Sequence, residues 1–522
     1  MMKQLNLDIC TGQAYDCFDV LIKSICDWKN IDYRMMFTES WGFDYNQDNT
    51  NATLTDRLRV GRGDQVSYLQ DYHGLFISQK PYHASVIQEI NTFIDEGQPV
   101  MLFVDSYWCK WDFVRYQKSH ANHFICVTGY DDSTNEYLCK DYQMALKGQI
   151  LAAEDFENYC QEFHFIHFSE AKQNIDAKEI LSKFANRLLD PNGNIRIGND
   201  IRAFAKDLEQ LDFVREFEND IDAGQSALFR RLSQIGQSRA KFIQTMECME
   251  SKCNGYNFQE NIEEIRTLGS QWEVALAMLM KSYYMKDRTK ILNRICDKYR
   301  EIAEWEDTII AKLRNKQPDF GKSTPEDRLH RNDLRLEPIT VCTVLDLSSH
   351  LNNNGIYNKI TSDCSCELSN PCRYFLIEEG TRNGKHEVME LAIRNFNQDL
   401  PDNIACDRQV IDVDIEHPKY LALLACSEFG SFKEKIHLVY DSKDVKFDIG
   451  FTSWLAQLPE YGEAIAITGK GVVRKKDSAE CYPFPVHIYS RILQLDPEYG
   501  HLKSVVLPEC INIHIFSISV GS

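Results

Sequence analysis

The spacing of apolar residues changes once within the first 170 positions. Directly after Asp16 and Cys17, the residues Phe18, Leu21, Ile22, Ile25 and Trp28 recur at three- and four-residue steps, which puts them on one face of a helix. Further along come short runs rich in β-branched and aromatic residues, bounded by turn formers: PVMLFVD at 99–105, HFICVTGY at 123–130, EYLCKDY at 136–142 and EFHFIHF at 162–168. The cluster Asp131-Asp132-Ser133-Thr134-Asn135 joins the second and third runs as a hairpin. A helix first and a sheet afterwards predict an α+β domain over residues 1–168.

From about 169 to 315 the period is 3.6. Ile201, Phe204, Ala205 and Leu208 form one apolar stripe, and Ile295, Ile302 and Ile309 another. Leu188-Leu189-Asp190-Pro191-Asn192-Gly193 and Lys252-Cys253-Asn254-Gly255 interrupt this helical block where Pro and Gly end helices. Residues 316–335, with Pro318, Gly321 and Pro325 and a charged run to Arg335, read as an exposed linker. Over 336–522 nine strand-length segments, among them YLALLAC, KIHLVYD and INIHIFSISV, alternate with Asn, Asp, Gly and Pro, the pattern of an all-β sandwich of the jelly-roll kind.

At 522 residues the chain has length for roughly three domains. Hydrophobic residues make up 43% and charged residues 26%, which excludes disordered, collagenous and coiled-coil classes. The 58 Lys and Arg against 78 Asp and Glu give a formal net charge of −20, which repels nucleic acid and anionic membrane surfaces. The same field would draw in a cationic small molecule, although solubility alone accounts for such a charge. No apolar stretch reaches membrane-span length and the N-terminus carries no signal pattern, so a cytoplasmic protein is expected. There the 18 irregularly spaced cysteines would stay reduced. Cys364, Cys366 and Cys372 lack a second CxxC or a nearby histidine pair, so no metal is expected at them.

Cys17 is the first candidate for chemistry. One residue after Asp16, a good N-cap, its sulfur lies in the first turn of a helix, where the dipole and free N–H groups favour a thiolate. A buried cysteine on an amphipathic helix is the plainer alternative. His123 opens one strand and Asp141 closes the next, so the hairpin can set imidazole and carboxylate side by side. In that arrangement Cys17 attacks an acyl carbon, His123 holds the thiolate and moves the proton, and Asp141 orients the ring. His120 competes for the base role. His120-x-x-His123 would chelate a metal on a helix but not on a strand, and no metal is expected there either. Gln13 would donate to an oxyanion beside the Cys17 N–H, and is otherwise an exposed loop residue. Asp105 and Tyr107, at the end of PVMLFVD, would line the cleft.

Asp-Cys-Phe at 16–18, Val-Asp-Ser-Tyr-Trp at 104–108, the run His120 to Asp131 and Lys-Asp-Tyr at 140–142 resemble the N-terminal domain of the butirosin biosynthesis H-type proteins. Ile-Arg-Ala-Phe-Ala-Lys-Asp-Leu at 201–208 is similar to the helical part that follows in that family. The resemblance covers about the first 315 residues and implies a papain-like cysteine acyltransferase. Such an enzyme passes an acyl group from the phosphopantetheine thioester of an acyl or peptidyl carrier protein to an amine and carries no bound cofactor of its own. At 106–110 Ser-Tyr-Trp-Cys-Lys replaces the family's Tyr-Leu-Pro-Tyr-like stretch, which bears on the acceptor. Residues 346–356 and the closing strand 512–518 resemble galactose-binding-like jelly rolls, which bind sugar, bind calcium or only scaffold. Two rival readings remain: a peptidase or amidase using water, and a non-catalytic carbohydrate-binding or assembly protein.

Overall fold

In the computed structural model, residues 3–10, 15–83, 85–112, 115–142, 145–218, 226–285, 288–318, 342–369, 372–377, 383–386, 389–392, 400–475 and 478–521 are described. Most of the expected linker, and Gln13, lie outside them.

The N-terminal part is a seven-stranded antiparallel sheet. Strands Leu75–Lys80, Cys160–Phe168, Val100–Asp105, Asn122–Asp131, Glu136–Asp141 and Ala145–Ala152 lie in that spatial order, and the short strand Lys3–Gln4 pairs with Asn122–Asp131. Val100–Asp105 is central and covered on both faces, which is why its sequence is nearly all apolar rather than alternating. On one face Met101, Cys126 and Ile166 pack against Leu21, Ile22 and Ile25 of the helix Cys17–Lys29. On the other, Val100, Leu102, Ile125 and Val127 pack against Val86, Ile90 and Ile94 of the helix Val86–Asp95. The 131–136 hairpin closes as its composition predicts, with Asn135 at φ 57° and the Ser133 N–H donating to Asp131 at 3.0 Å.

Helices Ala177–Arg187, Arg196–Leu208, Ala227–Lys252, Gln259–Tyr284 and Thr289–Arg314 form the helical block, interrupted at the two predicted breaks. Its core reaches into the N-terminal part: Met35, Trp41, Phe43 and Leu58 belong to it rather than to the sheet. At its centre Glu306, fully buried, accepts from the Trp41 and Trp272 indoles at 2.5 and 2.9 Å and from Arg239 Nε at 2.8 Å. A buried carboxylate needs such a set of donors to offset lost hydration.

The C-terminal part is β-rich, with one eight-stranded and one four-stranded sheet as its main layers. The strand Tyr420–Ser427 is buried along its whole length, between Ile513–Gly521 and Ser478–Gln494. The four-stranded sheet orders Val410–Glu416, His501–Val506, Phe432–Tyr440 and Asp444–Phe451, and its apolar face shares one core with the helical block. Asn352 and Asn353 bridge to the segment at 403–405: Asn353 and Asn403 form a β-bridge, and the Asn352 side chain accepts from the Ala405 N–H at 2.8 Å. Among the described residues no helix is long and apolar enough to cross a membrane.

Candidate functional site

The helix bearing Cys17 begins with a reciprocal cap. Asp16 accepts from the Asp19 N–H at 3.1 Å, and Asp19 accepts from the Asp16 N–H at 3.3 Å. Two carboxylates so close repel each other, and cations answer them. Arg62 donates to Asp16 at 2.5 Å, and Lys241 of the helix Ala227–Lys252 pairs with both Asp16, at 3.4 Å, and Asp19. Lys241 and Asp19 are fully buried. Burial raises the Asp16 carboxyl, but Lys241 and Arg62 outweigh it and bring the group down to about 2. Asp19 goes the other way, raised by burial and by the charge on Asp16.

Phe18, the next residue of the helix, meets Phe124 edge to face at 5.4 Å, which sets the first helical turn beside the start of the strand Asn122–Asp131. His123 leaves that strand with its side chain 11% exposed. Cys126 pairs with Lys140, so Asp141 lies diagonally across the ladder from His123, and His123 Nε2 meets Asp141 Oδ2 at 3.0 Å. With Nε2 engaged by Asp141, the remaining ring nitrogen is Nδ1, and the ring also hydrogen-bonds Cys17. Burial lowers the His123 pKa, yet the bonds to Asp141 and Cys17 override it and bring the group up to about 9. At neutral pH this imidazole is therefore cationic.

Asp141, buried, also accepts from the Trp111 indole at 3.0 Å. That second bond holds the carboxylate in place beside the histidine. The Lys140 ammonium donates to the Leu7 carbonyl at 2.5 Å, tying the segment ahead of Cys17 to the same hairpin.

Asp105, Tyr107 and His120 form a cluster of their own. His120 Nδ1 lies 2.5 Å from Asp105 Oδ2, Tyr107 stacks on the His120 ring at 4.3 Å, and Asp105 accepts from the Tyr107 and Ala121 N–H groups. Asp105 pairs with Asn122 in the ladder, so this cluster adjoins the strand of His123. The two histidines thus have separate carboxylate partners rather than a shared ligand. Among the described residues no group of three or more His, Cys, Asp or Glu is placed to hold a metal ion. All 18 cysteines are free thiols; burial pushes Cys26, Cys109, Cys126 and Cys248 up to about 12, which keeps them protonated and inert.

Trp111, Arg62 and Lys241 are partners that reading the sequence alone does not find. Trp111 and Arg62 carry no local signal. Lys241 does carry one: with Ser238 and Arg239 it interrupts the apolar stripe of its helix, and a lysine at an interior position needs a buried counter-charge.

Residues 34–167 match the Peptidase_C39 like family, so a papain-like cysteine-peptidase-type domain occupies this part of the chain. The match spans His123 and Asp141 and begins after Cys17. No curated protein matches the chain.

Proposed function

We propose that the protein is a cysteine acyltransferase in which Cys17 carries the acyl group between a thioester donor and an amine. The observation that carries this reading is the His123 imidazole, bonded to Asp141 through Nε2 and to Cys17, and cationic at neutral pH. An imidazolium beside a cysteine in the first turn of a helix is the environment that keeps a thiolate ready for attack.

The Cys17 sulfur attacks the thioester carbonyl, the tetrahedral intermediate expels the donor thiol, and the His123 imidazolium gives that thiol its proton. The neutral imidazole then takes a proton from the attacking amine as the C–N bond forms and the Cys17–acyl bond breaks, which restores the ion pair. The acyl group leaves as an amide, and because the donor is a thioester no nucleotide is consumed. The donor is the phosphopantetheine of a carrier protein, and the resemblance to butirosin biosynthesis H-type proteins supports that choice; Asp105, Tyr107 and His120 bind substrate. The β-rich part is a jelly roll that binds or scaffolds.

The likeness to a peptidase family favours a second reading, hydrolysis with water as acceptor. One experiment separates them. With an acyl thioester the wild type should gain the acyl mass on Cys17, Cys17→Ala should not, and adding an amine panel should release amide. Release of free acid at the same rate with and without amines, and no amide by mass spectrometry, would make the enzyme a hydrolase. Acyl mass on another cysteine would remove both readings.

A further inference from the structure

A cleft of about 530 Å³ opens where the helices Gln259–Tyr284 and Thr289–Arg314 meet the four-stranded sheet, and none of its lining residues belongs to the Cys17 site. Its volume is in the range of small-molecule sites.

Alternation along the strand Phe432–Tyr440 decides what faces it. Phe432, Ile436 and Leu438 are buried in the shared core, so Lys433, Lys435 and His437 project from the opposite face. On the neighbouring strand Lys446 pairs with His437, and Asp448 with Lys435. Lys298 and Arg408 complete the rim.

The charge in this cleft is unbalanced. Lys298, Lys433, Lys435 and Lys446 form no ion pair among the described residues. Of the four carboxylates present, Glu509 is taken by Arg408, Glu434 accepts from Gln271 and lies in the field of Lys298, and Asp448 stands across the ladder from Lys435, which leaves Lys433 and Lys446 the least compensated. In a chain with twenty more acidic than basic residues, a cleft lined by five basic and four acidic side chains is locally basic, and the exposed Lys433, Lys435 and Lys446 repel one another across it. His437 registers that field: burial first, then Lys446, Arg408 and Lys435, hold it below its usual range. Val506 and Leu507 give the cleft an apolar floor, and Trp305, 42% exposed, stands at its edge.

We propose that this cleft binds a small organic anion through its phosphoryl groups. Compact ammonium groups suit phosphoryl oxygens, and the apolar floor and the indole suit the carbon body that carries them. The acidic remainder of the surface keeps long polyanions away, which leaves small ones.

The full chain can be titrated with tripolyphosphate and with ADP, following tryptophan emission and using Trp305→Phe to assign the signal. Saturable binding with a Kd below about 0.1 mM is expected, weakening by about tenfold between 50 and 200 mM salt. Lys435→Gln/Lys446→Gln should weaken it at least about tenfold more while leaving acylation of Cys17 unchanged. Equal affinity for the two probes means that phosphoryl groups alone are read, and tighter ADP binding means that the indole takes a ring as well. If neither probe binds below about 1 mM, or if the double variant binds as tightly as wild type, the proposal is wrong.

Discussion

At His123 burial and charge pull in opposite directions, and charge wins. The imidazole would otherwise lose its proton on entering the protein; Asp141 and Cys17 keep it protonated to about pH 9. Two outcomes follow from the sign. Acylation of Cys17 should fail on the alkaline side with a midpoint near 9, and Asp141→Asn should move that midpoint to lower pH and slow the reaction by about a hundredfold or more. Because the folded value lies above the ordinary 6.5, the ring stabilises the fold fully below 6.5 and loses that contribution as pH rises through 9. Urea midpoints of wild type and His123→Gln should therefore differ at pH 6 by on the order of 1–3 kcal/mol and converge by pH 10. His123 and Asp141 are legible in the sequence because a single hairpin, with its own turn chemistry, sets their spacing. Trp111 is not legible, since what brings its indole to Asp141 is the path of a loop with no period to read.

The helix Cys17–Lys29 shows the same division one level up. Its start at Asp16 and its apolar face are local properties and can be read directly. What holds its first turn in place is not local, because Lys241 comes from a helix 225 residues away. Lys241→Met would leave Asp16 and Asp19 without their buried cation and should cost about 3–5 kcal/mol in urea unfolding, with slower alkylation of Cys17 by iodoacetamide. Asp19→Asn in the same chain should recover much of the stability, since the charge needing a partner is then gone. Among the strands, the long apolar runs are evident in the sequence. Lys3–Gln4 and Leu75–Lys80 escape it, the first being two residues long and the second having an exposed Phe76 that breaks its alternation.

Across the whole molecule the helical block is the hub. It takes the Trp41 segment of the N-terminal part into its core on one side and the β-rich part on the other. On that second side Lys281 reaches Glu428 at 2.6 Å and the Ile511 carbonyl at 2.6 Å, and Glu428 lies 3.3 Å from His514. Burial raises the Glu428 carboxyl, but Lys281 and His514 carry it down to about 2. Its contribution is complete above 4.5 and is lost as pH falls toward 2. Lys281→Met should lower the urea midpoint by the equivalent of about 3–5 kcal/mol at pH 7, and Lys281→Met/Glu428→Gln should lower it less. None of this is legible in the sequence, where composition suggests separable parts on either side of a linker.

The ion pair beneath Cys17 also sets an order of events during synthesis. A ribosome adding about 5–20 residues per second needs roughly 10–45 s to travel from Asp16 to Lys241. For the second half of that interval the nascent N-terminal part has both Cys17 and His123 but not the cation that pairs with Asp16 and Asp19, so the first turn gains its full set of partners only when the polypeptide is nearly half made.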